Sequence, residues 1–357
     1  MVRKGTARAE TGQAGAGTAA GLRGELWTVG AAVSAVLYAA LRAGWEQVGI
    51  WRPLSPFGDD LIVFTGWSAV RLCLAAAAVL TVTLAVRLRG PARWVPVVAA
   101  YAVGAALVAS GALLLLDVVG VIFPGLGIPV FPLGVFSRAV CVTLGVLVLR
   151  AGRRYARRTG PGCAVCGRVA RQPDAEPAAP PVIQAWGFAG AYAAVLGCLT
   201  RIGAQLSLEL GGTGAPTPAD GTAGTAGTAG TASQVVFEAG FLLAGTVLPL
   251  ALVHRWGRVW PRWTPALAGR RVPRPLVLWP AAAVSCGLVA YFGVGLGQMV
   301  AERLAGRRPF AGGGGPELPE AFFWVAVPAY FVWGVGMAVA AVAYARATRA
   351  SCGDCGG

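Results

Sequence analysis

The chain has 357 residues, of which 56% are apolar and 13% charged, and its mean hydropathy is +0.65. Because about a quarter of the residues in soluble domains are charged, this composition excludes an ordinary soluble protein and indicates an integral membrane protein. The net charge of +15 would suit a nucleic-acid partner, but the basic residues follow the predicted membrane topology. We therefore expect the protein to have the lipid bilayer as its partner and to bind no nucleic acid.

Residues 1–24 are basic and rich in Gly, Ala and Thr, with no apolar core of their own. This composition predicts a disordered cytoplasmic N-terminus. A cleaved signal peptide is not expected, because its apolar region would have to be the following segment, which is too long and contains Arg42.

Eight long apolar segments follow in the chain. Each approaches or exceeds the roughly 20 residues that cross a hydrocarbon core of about 30 Å. They lack the alternation of a membrane barrel, so the sequence predicts an all-α membrane protein with eight transmembrane helices. The segments are 26–48, 61–86, 94–116, 132–150, 183–206, 235–253, 275–298 and 321–343. Between the third and fourth, residues 117–132 are predicted to be an apolar outer loop.

The basic residues predict the orientation of these helices. If the N-terminus is cytoplasmic, 22 of the 30 basic residues lie in inner segments and four in outer loops. The positive-inside rule therefore predicts a multi-pass protein of the plasma membrane with both termini in the cytoplasm.

The chain contains an internal repeat. Residues 26–44 align without gaps with 185–203, at an offset of 159, and "YARRTGPGCAVCG" at 155–167 aligns with "YARATRASCGDCG" at 344–356, at an offset of 189. We therefore predict two four-helix repeats, 25–167 and 183–357, joined by a cytoplasmic linker at 168–182. An even number of crossings makes the repeats parallel. The low-complexity outer loop 211–232 is predicted to be disordered.

Three features carry a resemblance: the Arg near the end of the first helix, the loop "HRWGRVWPRW" and the terminal "CxxCG". With them the chain resembles a group of uncharacterised multi-pass integral membrane proteins of high-GC actinobacteria. The resemblance implies a multi-pass membrane fold and no activity.

The eight cysteines form two sets. Cys73, Cys141, Cys198 and Cys286 lie singly in helices, where packing is the expected role. Cys163 with Cys166, and Cys352 with Cys355, form two CxxCG turns at equivalent places in the repeats. Four thiolates could hold one structural zinc ion that clamps the repeats together. A redox-active thiol pair and unligated surface thiols are the alternatives.

Ionisable residues within the helices suggest a second site. Arg42, Arg71, Arg138 and Arg201 are predicted near the outer side, with Glu46, Asp117 and Glu238 as partners. They either snorkel and form salt bridges or line an outward-facing vestibule for an anionic small ligand or lipid head group. Glu46 lies four residues after Arg42 and is placed to bond to it.

The sequence contains no HExxH motif and no Walker loop. We therefore favour a non-enzymatic carrier or sensor that combines the arginine-lined vestibule with the zinc clamp. A membrane thiol oxidoreductase and a purely structural or partner-binding protein remain the alternatives.

Overall fold

Helices make up nearly all of the chain that the structure describes. The structure is a computed structural model and describes residues 7–49, 66–126, 128, 130–161, 163, 181–210, 226–262, 264, 267–309 and 319–348. The α-helices within these ranges are α1 (Ala7–Val48), α2 (Trp67–Ala85), α3 (Trp94–Ser110), α4 (Leu114–Ile122), α5 (Pro132–Thr159), α6 (Pro181–Leu210), α7 (Ala226–Val253), α8 (Arg274–Leu304) and α9 (Glu320–Ala347).

Eight spans in the described ranges are long and apolar enough to cross a membrane, and each predicted apolar segment overlaps one of them. The all-α, multi-pass prediction is therefore confirmed. The first span is Glu25–Val48 within α1, and the third, Gly90–Ile122, contains both α3 and α4. Outside the 24 residues of that first span, α1 extends back to Ala7.

Two helix starts fall inside segments predicted to be disordered. Helix α1 begins at Ala7, within 1–24, and α7 begins at Ala226, within 211–232. Alanine, the strongest helix former, recurs in both stretches. Residues 7–24 and 226–232 are therefore described as helical, while 211–225 lies outside the described residues.

The third span is broken between α3 and α4. Hydrogen bonds from Gly111 to Val108 and from Leu114 to Gly111, each three residues apart, replace the α-helical pattern there. Helix α4 then runs to Ile122, so the first part of the predicted 117–132 loop is helical. Asp117 accordingly lies in the first turn of α4 instead of at the end of a helix.

The helices form two hydrophobic cores. The first is built from α1, α2, α3 and α5 and includes Leu80, Leu107 and Val148. The second is built from α6, α7, α8 and α9 and includes Trp333 and Met337. Because hydrophobic attraction between helices is weak in lipid, close packing must hold each group together.

Glycine pairs provide that close packing. A methyl group on Gly145 of α5 would lie 2.8 Å from the carbonyl oxygen of Gly104 of α3. In the second core, a methyl group on Gly190 of α6 would lie 2.7 Å from the carbonyl oxygen of Gly336 of α9. The backbones therefore meet directly at these two crossings, as small residues allow in membrane helices.

The two cores meet along α8 and the loop after α4. Helix α8 packs on α3 and α4, and the rings of Phe123 and Phe237 meet edge to face at 6.1 Å. At the other end of the bundle, the guanidinium of Arg150 lies 6.0 Å from the ring centroid of Trp279. The two halves therefore touch near both ends of the helices.

Arginines concentrate at the end of the bundle where α2, α5, α7 and α9 end, which we call the arginine-rich end. Arg93 donates to the carbonyl of Thr159 at 3.0 Å, and Arg274 donates to that of Ala345 at 2.5 Å. Arg93 directly precedes α3 and Arg274 begins α8, and they cap the last turns of α5 and α9, where a cation is favoured by the helix dipole. The opposite end of the bundle is where α1, α4, α6 and α8 end.

Candidate functional site

The ionisable residues buried toward the opposite end form separate clusters. The first centres on Ser137 of α5. Its Oγ shares a hydrogen bond of 2.6 Å with the Tyr38 hydroxyl and accepts one of 3.3 Å from Nη1 of Arg42. Tyr38 and Arg42 are one turn apart on α1 and therefore reach the same point on α5. Only 7% of Arg42 is exposed, so the structure places this predicted site residue inside the first half.

Arg138 forms a buried ion pair with Asp117. Its Nη1 lies 2.5 Å from Oδ2 of Asp117, and the side chains are 5% and 2% exposed. The pair joins α5 to α4 and satisfies the charge of the carboxylate. Arg138 therefore acts in holding α4 against α5, and the pairing of these residues agrees with their predicted partnership.

Arg42 differs from Arg138 in its surroundings. Within the described ranges its Nε has no hydrogen-bond partner and no carboxylate lies within 4.0 Å of its guanidinium. Glu46, placed by sequence to bond to Arg42, lies instead beside the start of α2, with Oε2 3.3 Å from where a methyl on Gly66 would be. The expected Arg42 to Glu46 contact is therefore corrected: Arg42 faces α5, whereas Glu46 faces α2.

Arg71 is separate from this cluster. The helix that carries it begins at Trp67 in the described chain, not at 61, so Arg71 lies in the second turn. Its side chain is on the exposed face and its Nε donates to the carbonyl of Trp67 at 3.4 Å. From this position a long arginine stem reaches the end of the helix, which fits snorkelling better than a buried vestibule.

Arg201 lies in the second half, on α6. Its Nη1 is 3.8 Å from Oε2 of Glu238, and its guanidinium carbon lies 5.0 Å from the ring centroid of Phe241 and 5.6 Å from that of Tyr330. These distances fit cation–π contacts. Arg201 and Glu238 are thus brought together as predicted, but in a cluster of their own.

A pocket of about 420 Å³ opens beside Arg201, between α6, α8 and α9. We call it the Arg201 pocket. Its polar lining consists of Arg201, Gln205 and Gln298, and five aromatic rings complete the wall: Tyr291, Phe292, Phe322, Phe323 and Tyr330. Volume and lining both fall in the range of small-molecule sites, which are largely apolar with a few polar groups.

The aromatic wall was not predicted from the sequence. Phe292 and Tyr330 stack at 4.0 Å with an angle of 7° between their planes, and Tyr291 and Phe292 meet edge to face at 4.9 Å. The available signals were the adjacent aromatic pairs at 291–292, near the middle of α8, and at 322–323, in the first turn of α9. Aromatic residues are also enriched at membrane interfaces, so the pairs alone did not indicate a pocket.

The structure describes some of the cysteines, and two of the four that were predicted to pack inside helices are buried. Cys73 and Cys198 are buried in the two cores, which agrees with a packing role. Cys163 is half-buried just beyond the end of α5, whereas Cys166, Cys352 and Cys355 lie outside the described residues. Within the described ranges no group of three or more His, Cys, Asp or Glu is arranged to hold a metal ion.

Comparison of the chain with models of protein families, with curated proteins and with solved structures finds no match. The assignment of a function therefore depends on the geometry of the Arg201 pocket and on the two ends of the bundle.

Proposed function

We propose that this membrane protein binds an amphiphilic organic anion in the Arg201 pocket, as a non-enzymatic carrier or sensor. The observation that supports the proposal best is the pocket itself, in which one guanidinium and two amides line a wall otherwise made of aromatic and apolar side chains. A ligand with an anionic group and an aromatic or apolar body matches this lining. The proposal replaces the single four-arginine vestibule with one site in the second half.

The charge of Arg201 is available to a ligand. Its partner Glu238 is 3.8 Å away and its side chain is 46% exposed, and a loose pair with an exposed carboxylate contributes little stability. An anion entering the pocket would meet a guanidinium that is itself only 15% exposed. In such a partly desolvated place a charged hydrogen bond is stronger than in water.

A set of three probes with one ring system tests the charge selectivity. We expect indole-3-acetate to raise the thermal unfolding temperature of the full chain in detergent in a saturable way, while the cationic analogue tryptamine and the neutral indole-3-acetamide do not. Arg201→Gln should weaken indole-3-acetate binding about 10- to 100-fold, since a hydrogen bond to a charged group contributes about 1.5–3 kcal/mol.

Arg303→Gln is the matched control. Arg303 lies near the same end, is 63% exposed and pairs with Glu320 at 3.8 Å, and it does not line the pocket. Its substitution should leave binding unchanged, and Arg201→Lys should retain part of it. Equal stabilisation by tryptamine, or unchanged binding of indole-3-acetate to a folded Arg201→Gln variant, would contradict the proposal.

The two-repeat architecture, 25–167 and 183–357, remains part of the proposal and is supported by matching contacts. In the first half α1 packs on α2 and α3 on α5, and in the second α6 packs on α7 and α8 on α9. Tyr155 and Tyr344, equivalent at the offset of 189, are both buried. The Tyr155 hydroxyl accepts from the backbone of Leu88 at 3.0 Å, and Arg258 lies 6.0 Å from the Tyr344 ring. Each tyrosine thus contacts the loop after the second helix of its half.

The orientation proposed for the bundle puts the arginine-rich end in the cytoplasm. The loops and helix ends of both halves contribute arginines to this one end, including Arg93, Arg158, Arg258 and Arg274. By the positive-inside rule this end faces the cytoplasm of a plasma-membrane protein. The Arg201 pocket would then face the outside, which suits a sensor or carrier of external ligands.

A shared structural zinc at Cys163, Cys166, Cys352 and Cys355 is proposed at the arginine-rich end. Both turns follow helices whose last turns lie beside α8: Arg150 of α5 contacts Trp279, and Arg274 contacts the Ala345 carbonyl of α9. One helix start therefore adjoins both helices that lead to the CxxCG turns. Four thiolates would complete a tetrahedral structural site with no open position.

A further inference from the structure

A second pocket of about 330 Å³ lies between α1 and α5 toward the arginine-rich end. We call it the α1/α5 gap. It shares no residue with the Arg201 pocket and is bounded by two contacts between the helices. Tyr38 and Ser137 meet at 2.6 Å on one side, and Glu25 and Arg158 form an ion pair of 3.3 Å on the other. The lining includes Trp27, Thr28 and Ala31 of α1 and Leu147, Arg150 and Arg154 of α5.

The second half offers an internal comparison for this gap. We extend the alignment of the two repeats through the helices that line the gap. The offset of 159 relates residues of α1 to residues of α6, and the offset of 189, which relates Tyr155 to Tyr344, relates residues of α5 to residues of α9. The residues equivalent to Thr28, Ala31, Leu147, Arg150 and Arg154 are then Gly187, Gly190, Gly336, Val339 and Ala343. Three lining positions of the gap thus become glycine, and both arginines become small or apolar.

These differences explain why the gap exists in one half. A methyl group on Gly187 would lie 3.0 Å from Cβ of Ala343, so α6 and α9 pack without a space. The same packing is impossible for α1 and α5, because Thr28 and Leu147 carry side chains where the second half has none. The backbones stay apart, and two arginines enter the wall of the space that remains.

The gap combines cationic and interfacial groups. The last turns of α5 also carry Arg153, Arg157 and Arg158. On α1, the carboxylate of Glu25 pairs with Arg158. Trp27 is 72% exposed on the outer face of the bundle, as tryptophans at the head-group level of a bilayer are. The residues that line the gap all belong to Glu25–Val48 and Pro132–Thr159, two helical spans that are long and apolar enough to cross a membrane.

We infer that the α1/α5 gap binds the phosphate head group of an anionic phospholipid. Arg150 and Arg154 face the phosphate, and the acyl chains run along the exposed apolar side of α1 next to Trp27, which includes Leu37 and Leu41. Basic pockets between membrane helices recognise lipid head groups in this way. This inference does not depend on the proposed anion pocket, because the two sites lie in different halves of the chain.

The test uses the full chain in detergent micelles with added dioleoylphosphatidylglycerol, and dioleoylphosphatidylcholine as the zwitterionic comparison. Native mass spectrometry should show a saturable, preferential binding of the anionic lipid. Arg150→Ala combined with Arg154→Ala should weaken this binding roughly 30-fold, the fold-change for about 1 kcal/mol from each of two arginines near an anionic surface. Arg153→Ala, an exposed arginine of the same helix outside the lining, should leave it unchanged.

A further variant separates a defined site from general attraction to arginines. Leu147→Trp fills the gap and keeps every charge, and we expect it to lose the lipid preference as well. If the double alanine variant or Leu147→Trp binds the anionic lipid as the original chain does, the inference is overturned. Saturable binding of inorganic phosphate with the affinity of the lipid would overturn the lipid assignment. Indole-3-acetate binding to the double variant should be unchanged, which separates this outcome from a failure of the Arg201 pocket.

Discussion

Arg42 and Arg138 show how differently two buried arginines are stabilised. Arg138 pairs with Asp117, whereas Arg42 donates to the Ser137 hydroxyl. Both residues are buried, with exposed fractions of 7% for Arg42 and 4% for Arg138. Removing one partner from a buried pair leaves an uncompensated charge, which costs more than the pair itself contributes.

Asp117→Asn should therefore destabilise the protein strongly. We expect a loss of about 3–5 kcal/mol in the free energy of unfolding, because Arg138 would keep its buried charge without a counter-ion. Chemical unfolding in mixed micelles measures this value. Replacing both residues by leucine should be less harmful than Asp117→Asn alone, since no unpaired charge remains.

The exposed pair of Arg303 with Glu320, at 3.8 Å, supplies the control. Glu320→Gln should cost less than about 1 kcal/mol, because exposed ion pairs are screened by solvent. If Asp117→Asn costs no more than Glu320→Gln, the buried pair does not hold α4 against α5.

At the residue scale the sequence predicted Asp117 and Glu238 as partners within one set of four arginines, but not which arginine each would contact. Asp117 and Glu238 lie beside Arg138 and Arg201, as opposite charges near one level of a membrane should. Glu46 was predicted to contact Arg42 because residues four apart lie on the same face of a helix. This spacing does not predict which neighbouring helix each side chain contacts. Arg71 lies in the second turn of its helix, because α2 begins at Trp67, later than the apolar composition suggested.

Among the helices, hydropathy located every span, and close packing decided their pairing. The α6 and α9 backbones meet at Gly190 and Gly336, whereas α3 and α5 meet at Gly104 and Gly145. With 52 glycines in the chain, composition alone could not show which ones lie at a crossing. The break between α3 and α4 was missed for the same reason, since it depends on the contact that Gly111 makes with α5.

Gly336→Ala tests the α6 and α9 crossing. The added methyl would lie 2.5 Å from the carbonyl oxygen of Gly190 and 2.8 Å from the backbone nitrogen of Ala194, and neither backbone atom can turn away as a side chain can. We expect a loss of about 1–3 kcal/mol in unfolding free energy, as overpacked cores show. Thermal unfolding in detergent, followed by circular dichroism, measures the change.

Gly203→Ala is the matched control on α6, because nothing lies within 4 Å of the added methyl. It should leave the unfolding temperature unchanged or raise it slightly, since alanine favours helix over glycine by about 1 kcal/mol. Similar losses for the two variants would mean that helix propensity, and not the crossing, decides the stability.

For the whole molecule, the proposed zinc predicts a link between the two halves. Metal analysis of the purified chain should find about one zinc per molecule, and Cys163→Ser or Cys352→Ser should remove it, because a site built of four thiolates loses affinity steeply when one is lost. Cys286→Ser, on the exposed face of α8, should not change the zinc content.

A chelator should also lower the unfolding temperature of the original chain and not that of Cys163→Ser. Purified protein without zinc, or zinc that survives the loss of Cys163, would contradict the clamp. Two aligned segments predict the two repeats, but the different packing of the two cores could not be predicted, because it depends on a few exchanges of glycine for larger side chains.

Trp333 lies at the centre of a tightly packed aromatic cluster in the second core. Its ring is 1% exposed, lies edge to face with Phe241 at 4.8 Å and stacks on Tyr330 at 6.1 Å, and Met337 is fully buried one turn further along α9. Tyr330 lines the Arg201 pocket, so one wall of the pocket backs onto this packed aromatic cluster. A ligand that crossed the membrane through the second half would therefore have to displace the Trp333 indole.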